Sequence, residues 1–267
     1  TWSIWHKRDS AASQSWGTEI QLTDTGVNYN PVALTVGSDV WLFWTSRRGD
    51  NWDIWHKRYS AASGSWGNDI QLTTDSGNDY GPAAVTVGGD VWLFWSSPRS
   101  GTWAIWHKRY SAASGSWGND IQLTNTGRDD TPVVLTVGTN VWLFWMSQRG
   151  GNSNIWHKRY SAASQSWGTE IQLTDTGANG MLVALSVGAD VWLFWVSRRD
   201  GDRDNNTIWH KRYSAASQSW GTEIQLTDTG VNYNPVALTV GSDVWLFWTS
   251  FRGDNWNIWH KQLLGFI

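Results

Sequence analysis

The sequence predicts an all-β fold, a five-bladed β-propeller of four-stranded antiparallel blades, on three observations. Short strings recur at a fixed period, the segments between turns are β-branched and aromatic, and tryptophan supplies 25 of 267 residues. WLFW starts at Trp41, Trp92, Trp142, Trp192 and Trp245, with steps of 51, 50, 50 and 53 residues. IWHK starts at Ile4, Ile54, Ile105, Ile155, Ile208 and Ile258, and IQLT at Ile20, Ile70, Ile121, Ile171 and Ile224. A unit of about 50 residues holding four strands has the size of a propeller blade. The longest step comes from an insert, residues 200–207. Residues 11–46 and 215–250 are identical, which points to recent amplification of one unit or to an engineered array.

Each unit resolves into strands A to D. In the second unit A is residues 83–87, B is 91–95, C is 105–110 and D is 120–124, with Gly88-Gly89-Asp90 as the A–B turn. All four are rich in β-branched and aromatic residues and bounded by Gly, Asn, Asp and Ser clusters. No segment sustains a helical period. The B strands are apolar on both sides, which suits blades stacked on both faces. Indole rings then fill the wedges between splayed blades.

In strand order the chain opens with C and D, runs through four complete sets and ends with A, B and C. The expected organisation is one domain over residues 1–267, its ring closed by a last blade shared between residues 1–23 and 234–267. Two segments compete for the C position of that blade, one around Ile4 and one around Ile258. The surplus strand offers an edge through which a homo-oligomer could form.

Composition narrows the partners. Lys and Arg total 20 against 23 Asp and Glu, so the basic footprint of a nucleic-acid binder is missing. Without Cys there is no disulfide framework, thiolate nucleophile or Cys-ligated zinc. Apolar runs such as residues 40–44 are too short for membrane insertion, and residues 1–8 show no signal pattern, so the compartment stays open. All six His are the third letter of IWHK, one per repeat, and read as structural side chains; no metal or cofactor is expected. The acidic insert lacks the spacing of an EF-hand loop and reads as a flexible loop.

Because neighbouring strands run antiparallel, the B–C and D–A connections share one rim, and the differences between copies concentrate there. One arginine recurs in every B–C loop: Arg48, Arg99, Arg149, Arg199 and Arg252. Trp52, Trp103 and Trp256 close three of these loops, while the D–A segments carry Tyr29, Asn30, Tyr80, Tyr233 and Asn234. Guanidinium forks bind hydroxyl pairs or carboxylates, and aromatic rings cover the apolar face of a sugar. The rim therefore predicts up to five equivalent shallow glycan sites acting through avidity. In a second reading the arginines brace the hairpins on nearby Asp, and the rings pack on the next blade.

The units resemble the Asp-box (BNR-type) propeller repeats of bacterial sialidase-like proteins. The resemblance rests on the third strand Ile-Trp-x-x-Arg-Tyr, the turn from Tyr59 to Trp66 and the QLT strand. Ala62 or Ser63 stands where those repeats carry their Asp. Sialidase chemistry, as the resemblance implies it, needs three convergent arginines, a Tyr–Glu pair and an Asp acid on different blades. Here nearly everything repeats, and no singular acid or base stands out. The sequence reading is thus a multivalent glycan-binding module (a lectin) and not an enzyme. The alternative is a protein-interaction scaffold, or an engineered array with no natural ligand.

Overall fold

The computed structural model describes residues 2–10, 14–199 and 206–264. Most of the acidic insert, residues 200–205, lies outside the described residues, as do residues 11–13 of the first C–D corner. The fold is all-β, with no helix among the described residues, and its antiparallel sheets are those of a five-bladed β-propeller. The chain divides into two compact units, Thr1–Asn125 and Thr126–Ile267.

The N-terminal unit holds two complete blades. Their A, B and C strands are Val27–Val36, Asp39–Arg47 and Trp52–Ser60, then Tyr80–Val87, Asp90–Ser97 and Ala104–Ser111. The D strand of the first blade is Ile70–Gln71, and Ser65–Trp66, expected as part of the C–D corner, is a further short strand; both pair with the C strand. Between the two Gly67 N still donates to Arg58 O at 2.8 Å. Asp69 turns its carboxylate inward to Lys57 Nζ at 2.7 Å, which separates the short strands. Ahead of the first blade, Trp5–His6 pairs with Ile20–Gln21, a C and a D strand.

The C-terminal unit repeats the plan twice, with A strands Asp129–Val137 and Ala178–Val187. It ends in a three-stranded sheet of Val231–Val240, Asp243–Arg252 and Asn255–Leu263. Of the two candidate C strands, Asn255–Leu263 is the one paired with the last B strand. Its Ile258 is 78% exposed, whereas Ile54, Ile105, Ile155 and Ile208 are fully buried.

B strands bury both faces because alternate residues serve different neighbours. Trp41, Phe43 and Ile54 of the first blade pack on Val91, Leu93 and Trp95 of the second. In the C-terminal unit Trp142, Phe144 and Ile155 meet Val191, Leu193 and Trp195, and Trp192 and Phe194 meet Val244 and Leu246. Each such side chain contributes roughly 2–3 kcal/mol by leaving water. Removing one ring, as in Phe144→Ala, should cost about 3–5 kcal/mol.

The histidines lie in the same layer. His56 stacks on Phe43 at 5.8 Å, and Trp220 Nε1 donates to His157 Nε2 at 3.3 Å. Burial, reinforced by Arg58 and Arg109, pushes His56 and His107 down to about 3. Burial also takes His157 and His210 to about 4, helped by Arg159 and Lys261.

The D–A segments, expected as loops, are the first residues of the A strands. Each A strand slips register once, between Tyr29 and Val32, Tyr80 and Ala83, Asp130 and Val133, Gly180 and Val183, and Tyr233 and Val236. The residue inside the slip is left-handed every time: Asn30 (φ 50°), Gly81 (61°), Thr131 (55°), Met181 (51°) and Asn234 (51°). This is a β-bulge, and the proline that follows in four of the five copies has no N–H to give the ladder.

Candidate functional site

One hydrogen bond anchors the rim in every blade. The last indole of WLFW donates to the residue just ahead of the bulge: Trp44 to Asn28 (2.9 Å), Trp95 to Asp79 (3.1 Å), Trp145 to Asp129 (3.2 Å), Trp195 to Asn179 (3.0 Å) and Trp248 to Asn232 (2.9 Å). The clamp fixes the next side chain at the rim. The residue there is Tyr29, Tyr80, Asp130 or Tyr233, and in the fourth copy Gly180, which has no side chain.

In the N-terminal unit these positions build a continuous aromatic ladder. Trp2, Tyr29, Trp52, Tyr80 and Trp103 follow one another with ring centres 5.4, 5.5, 5.9 and 5.7 Å apart, each tilted by 33–41° to the next. Trp2 is 65% exposed and Tyr29 37%, and the other three are half-buried. The tryptophans stand two residues before each IWHK string and the tyrosines just before each bulge, so strand register alone interleaves them. Asn30 sits exposed on the bulge beside Tyr29.

The C-terminal unit does not continue the ladder. Its ring positions hold Asp130, Ser153, Gly180 and Asn206 before Tyr233 and Trp256 resume, 5.7 Å apart. The rim sites are therefore unequal. Asn234, on the last bulge, donates its backbone N–H to Met181 Sδ at 3.3 Å.

The recurrent arginines point into the fold. Arg48 is ion-paired with Asp69 and lies 4.0 Å from the Trp55 ring centre. Arg99 holds Asp75 (2.6 Å), Asp79 (2.8 Å) and Asp120 (2.7 Å) and covers Trp106 at 4.6 Å. Arg149 holds Asp129 (3.1 Å) and Glu170 (2.7 Å) over Trp156, and Arg199 holds Glu223 over Trp209. Arg252 lies 4.0 Å from the Trp259 ring centre and bonds Ser250 Oγ at 3.1 Å, with no carboxylate partner among the described residues. Four of the five guanidinium groups are thus already held by the protein's own acids. The signal was in the sequence: Asp69, Asp120, Glu170 and Glu223 each directly precede IQLT.

Beneath the middle of the ladder lies a carboxyl cluster that sequence reasoning missed. Asp53 follows Trp52, Asp79 precedes Tyr80, and Asp79 N donates to Trp52 O at 2.7 Å. Thr73 Oγ1 donates to Asp53 Oδ1 at 3.5 Å. Burial, then the neighbouring Asp79 and Asp75, push the Asp53 carboxyl up to about 6. Burial also raises Asp79, against the hydrogen bonds of Arg99, Thr73 and Ser97. The cluster is singular: the other copies place Ser3, Ala104, Asn154, Thr207 and Asn257 where Asp53 stands.

No family model matches the chain, and no curated protein is similar to it in sequence. Solved structures are similar in fold. The Hadza microbial sialidase Hz136 gives a TM-score of 0.61 at 14% identity, over 93% of this chain and 57% of that one. The catalytic domain of the Coprinopsis cinerea GH62 α-L-arabinofuranosidase gives 0.54 at 10% identity, over 86% and 89%. A thermostable family-43 glycoside hydrolase gives 0.53 at 12% identity, over 89% of both chains. At these identities the likeness establishes the fold, a sialidase-like propeller. Each of these proteins is named for a glycosidase activity, and that corrects the expectation that this chain is not an enzyme. The premise of that expectation also fails, because Asp53 is a singular acid.

Proposed function

We propose that the chain is a carbohydrate-active propeller that seats a glycan on the aromatic ladder of its N-terminal unit and uses Asp53 beneath it as the acid for glycoside hydrolysis, with the fully buried Asp79 setting the protonation of Asp53. The observation that carries this reading is the coincidence of the two features, a row of rings with the one unrepeated carboxyl cluster directly under its centre. Rings at the rim cover the apolar faces of successive sugars. Glycoside hydrolysis asks for a carboxylic acid that still holds its proton at the working pH to protonate the leaving oxygen. Asp53, raised to about 6, holds its proton to higher pH than an ordinary Asp. Asp79, gripped by Arg99 at 2.8 Å, has a cation to balance its ionised form. Burial raises both carboxyls, and the charge of Asp79 beside Asp53 adds to the shift that keeps the proton on Asp53. The glycosidase names of the similar structures, and the resemblance to Asp-box repeats, favour a sugar over other ligands.

Release of reducing ends from a panel of linear and branched glycans tests the reading. Turnover should fall at least 100-fold in Asp53→Asn, and Trp52→Ala should raise KM more than it lowers kcat. No turnover on any glycan, or full activity in Asp53→Asn, overturns the hydrolytic role. Retention of every glycan by Trp52→Ala overturns the ladder.

A further inference from the structure

We infer that the C-terminal unit carries a second site, a polar pocket that takes a single carboxylated sugar ring. The pocket exists because the ladder stops. Ser153, Gly180 and Asn206 stand where other copies carry Trp or Tyr, and the space those rings would fill is a cavity of about 430 Å³. Its volume lies at the small end of ligand cavities, enough for one sugar ring and little more.

The lining supplies three kinds of contact. Arg198, at the end of the strand Asp190–Arg198, pairs in register with Ala178 and puts an exposed guanidinium at the pocket. It differs from Arg199, its neighbour, which is committed to Glu223. Among the described residues no carboxylate pairs with Arg198, and its exposed fork suits a carboxylate. Gln148, Asn152 and Ser153 bring amides and a hydroxyl suited to ring hydroxyls. Tyr233 adds an aromatic face for the apolar side of the sugar. The walls are braced: Asn179 donates to Ser153 O at 3.0 Å and accepts from the buried Trp195. None of these residues belongs to the N-terminal ladder, so the site stands apart from the proposed hydrolytic function.

Calorimetric titration of the full chain with D-glucuronate, alongside D-glucose and acetate, tests the inference. The expected result is saturable glucuronate binding at one per chain, at least tenfold tighter than glucose or acetate. Arg198→Gln should reduce glucuronate affinity at least tenfold. Gly180→Tyr restores the ring used at Tyr29, Tyr80 and Tyr233. A Cβ at Gly180 meets nothing within 4 Å, so this variant should fold and block the pocket. Trp52→Ala, in the other unit, should leave glucuronate binding unchanged even if it abolishes glycan retention on the ladder. Equal binding of glucose and glucuronate, no glucuronate binding, or full binding in either pocket variant overturns the proposal.

Discussion

Asp79 accepts the Trp95 indole N–H at 3.1 Å while Arg99 Nη2 reaches both of its oxygens at 2.8 Å. A fully buried carboxylate is thereby tied to the core on one side and to the rim on the other. Asn28, Asn179 and Asn232 make the same indole bond in other blades. Asp79→Asn should therefore cost no more than about 1 kcal/mol, since one bond type is exchanged for another. It should also let the Asp53 carboxyl fall toward the usual range, because a repelling charge is gone, and carboxyl NMR titration reads that shift. Asp79→Ala should cost about 1–3 kcal/mol, because it strands the buried Trp95 indole N–H while Arg99 keeps Asp75 and Asp120.

The arginines separate by partner. Arg99→Ala leaves Asp79 buried and unpaired and should destabilise by about 3–5 kcal/mol. Arg252→Ala loses a hydroxyl contact and a cation–π contact and should cost about 1 kcal/mol. Chemical-denaturation midpoints of the two variants check the ordering. Equal losses would mean that the carboxylates are not what holds these side chains.

The bulges give a backbone prediction. Asn30→Ala forces a Cβ-bearing residue without Asn's local hydrogen bonding into φ 50° and should cost about 1 kcal/mol. Asn30→Gly should be nearly neutral, as Gly81 already fills the equivalent place. Thermal midpoints decide. If Asn30 serves the backbone rather than a ligand, glycan binding survives Asn30→Gly.

Acid should weaken the fold. The unfolded chain protonates its histidines near pH 6.5, whereas His56 and His107 wait until about 3, and His157 and His210 until about 4. Between those limits the unfolded state binds more protons, so stability falls as pH falls, by up to about 1.4 kcal/mol per pH unit for each fully neutral histidine. Asp53, raised to about 6, works the other way: its folded form takes a proton first, which favours folding as pH drops through that range. Asp79 and Asp130 are raised as well and act in the same sense as Asp53. The four histidines, each displaced further than Asp53, set the direction, and the melting temperature should drop from pH 6.5 to pH 5. His56→Phe should flatten that drop by about a quarter, and a pH-independent melting curve would contradict the buried neutral imidazoles.

The strand order and the alternation of WLFW between two blade faces were legible because a period-two pattern and a 50-residue period carry them directly. The short strand Ser65–Trp66 was not: its Ser/Gly corner reads as loop, and the inward turn of Asp69 to Lys57 and Arg48 separates it from Ile70–Gln71. The bulge was half-visible in Asn30-Pro31 and Asn234-Pro235, yet Met181-Leu182 adopts it with neither residue type. At the rim, the rings Tyr29, Trp52, Tyr80 and Trp103 were identified, but their contact with one another depends on register across blades. Of the two readings of the arginines, the ion pairs favour bracing on carboxylates, and the sequence did not single it out because the acids lie 21 to 24 residues away rather than in the same loop. Asp53 escaped notice because scanning for repetition hides a residue that occurs once.

The ladder has an optical consequence. Trp44, Trp95, Trp145 and Trp195 are sealed in the core, while Trp2 is open to solvent and Trp52 and Trp103 are partly so. Collisional quenchers such as iodide should reach the rim indoles and spare the sealed ones. Intrinsic emission then divides into a shielded blue fraction and an accessible red one. Occupancy of the ladder would lower the accessible fraction without a label, over a constant contribution from the exposed Trp5, Trp16 and Trp256 outside it.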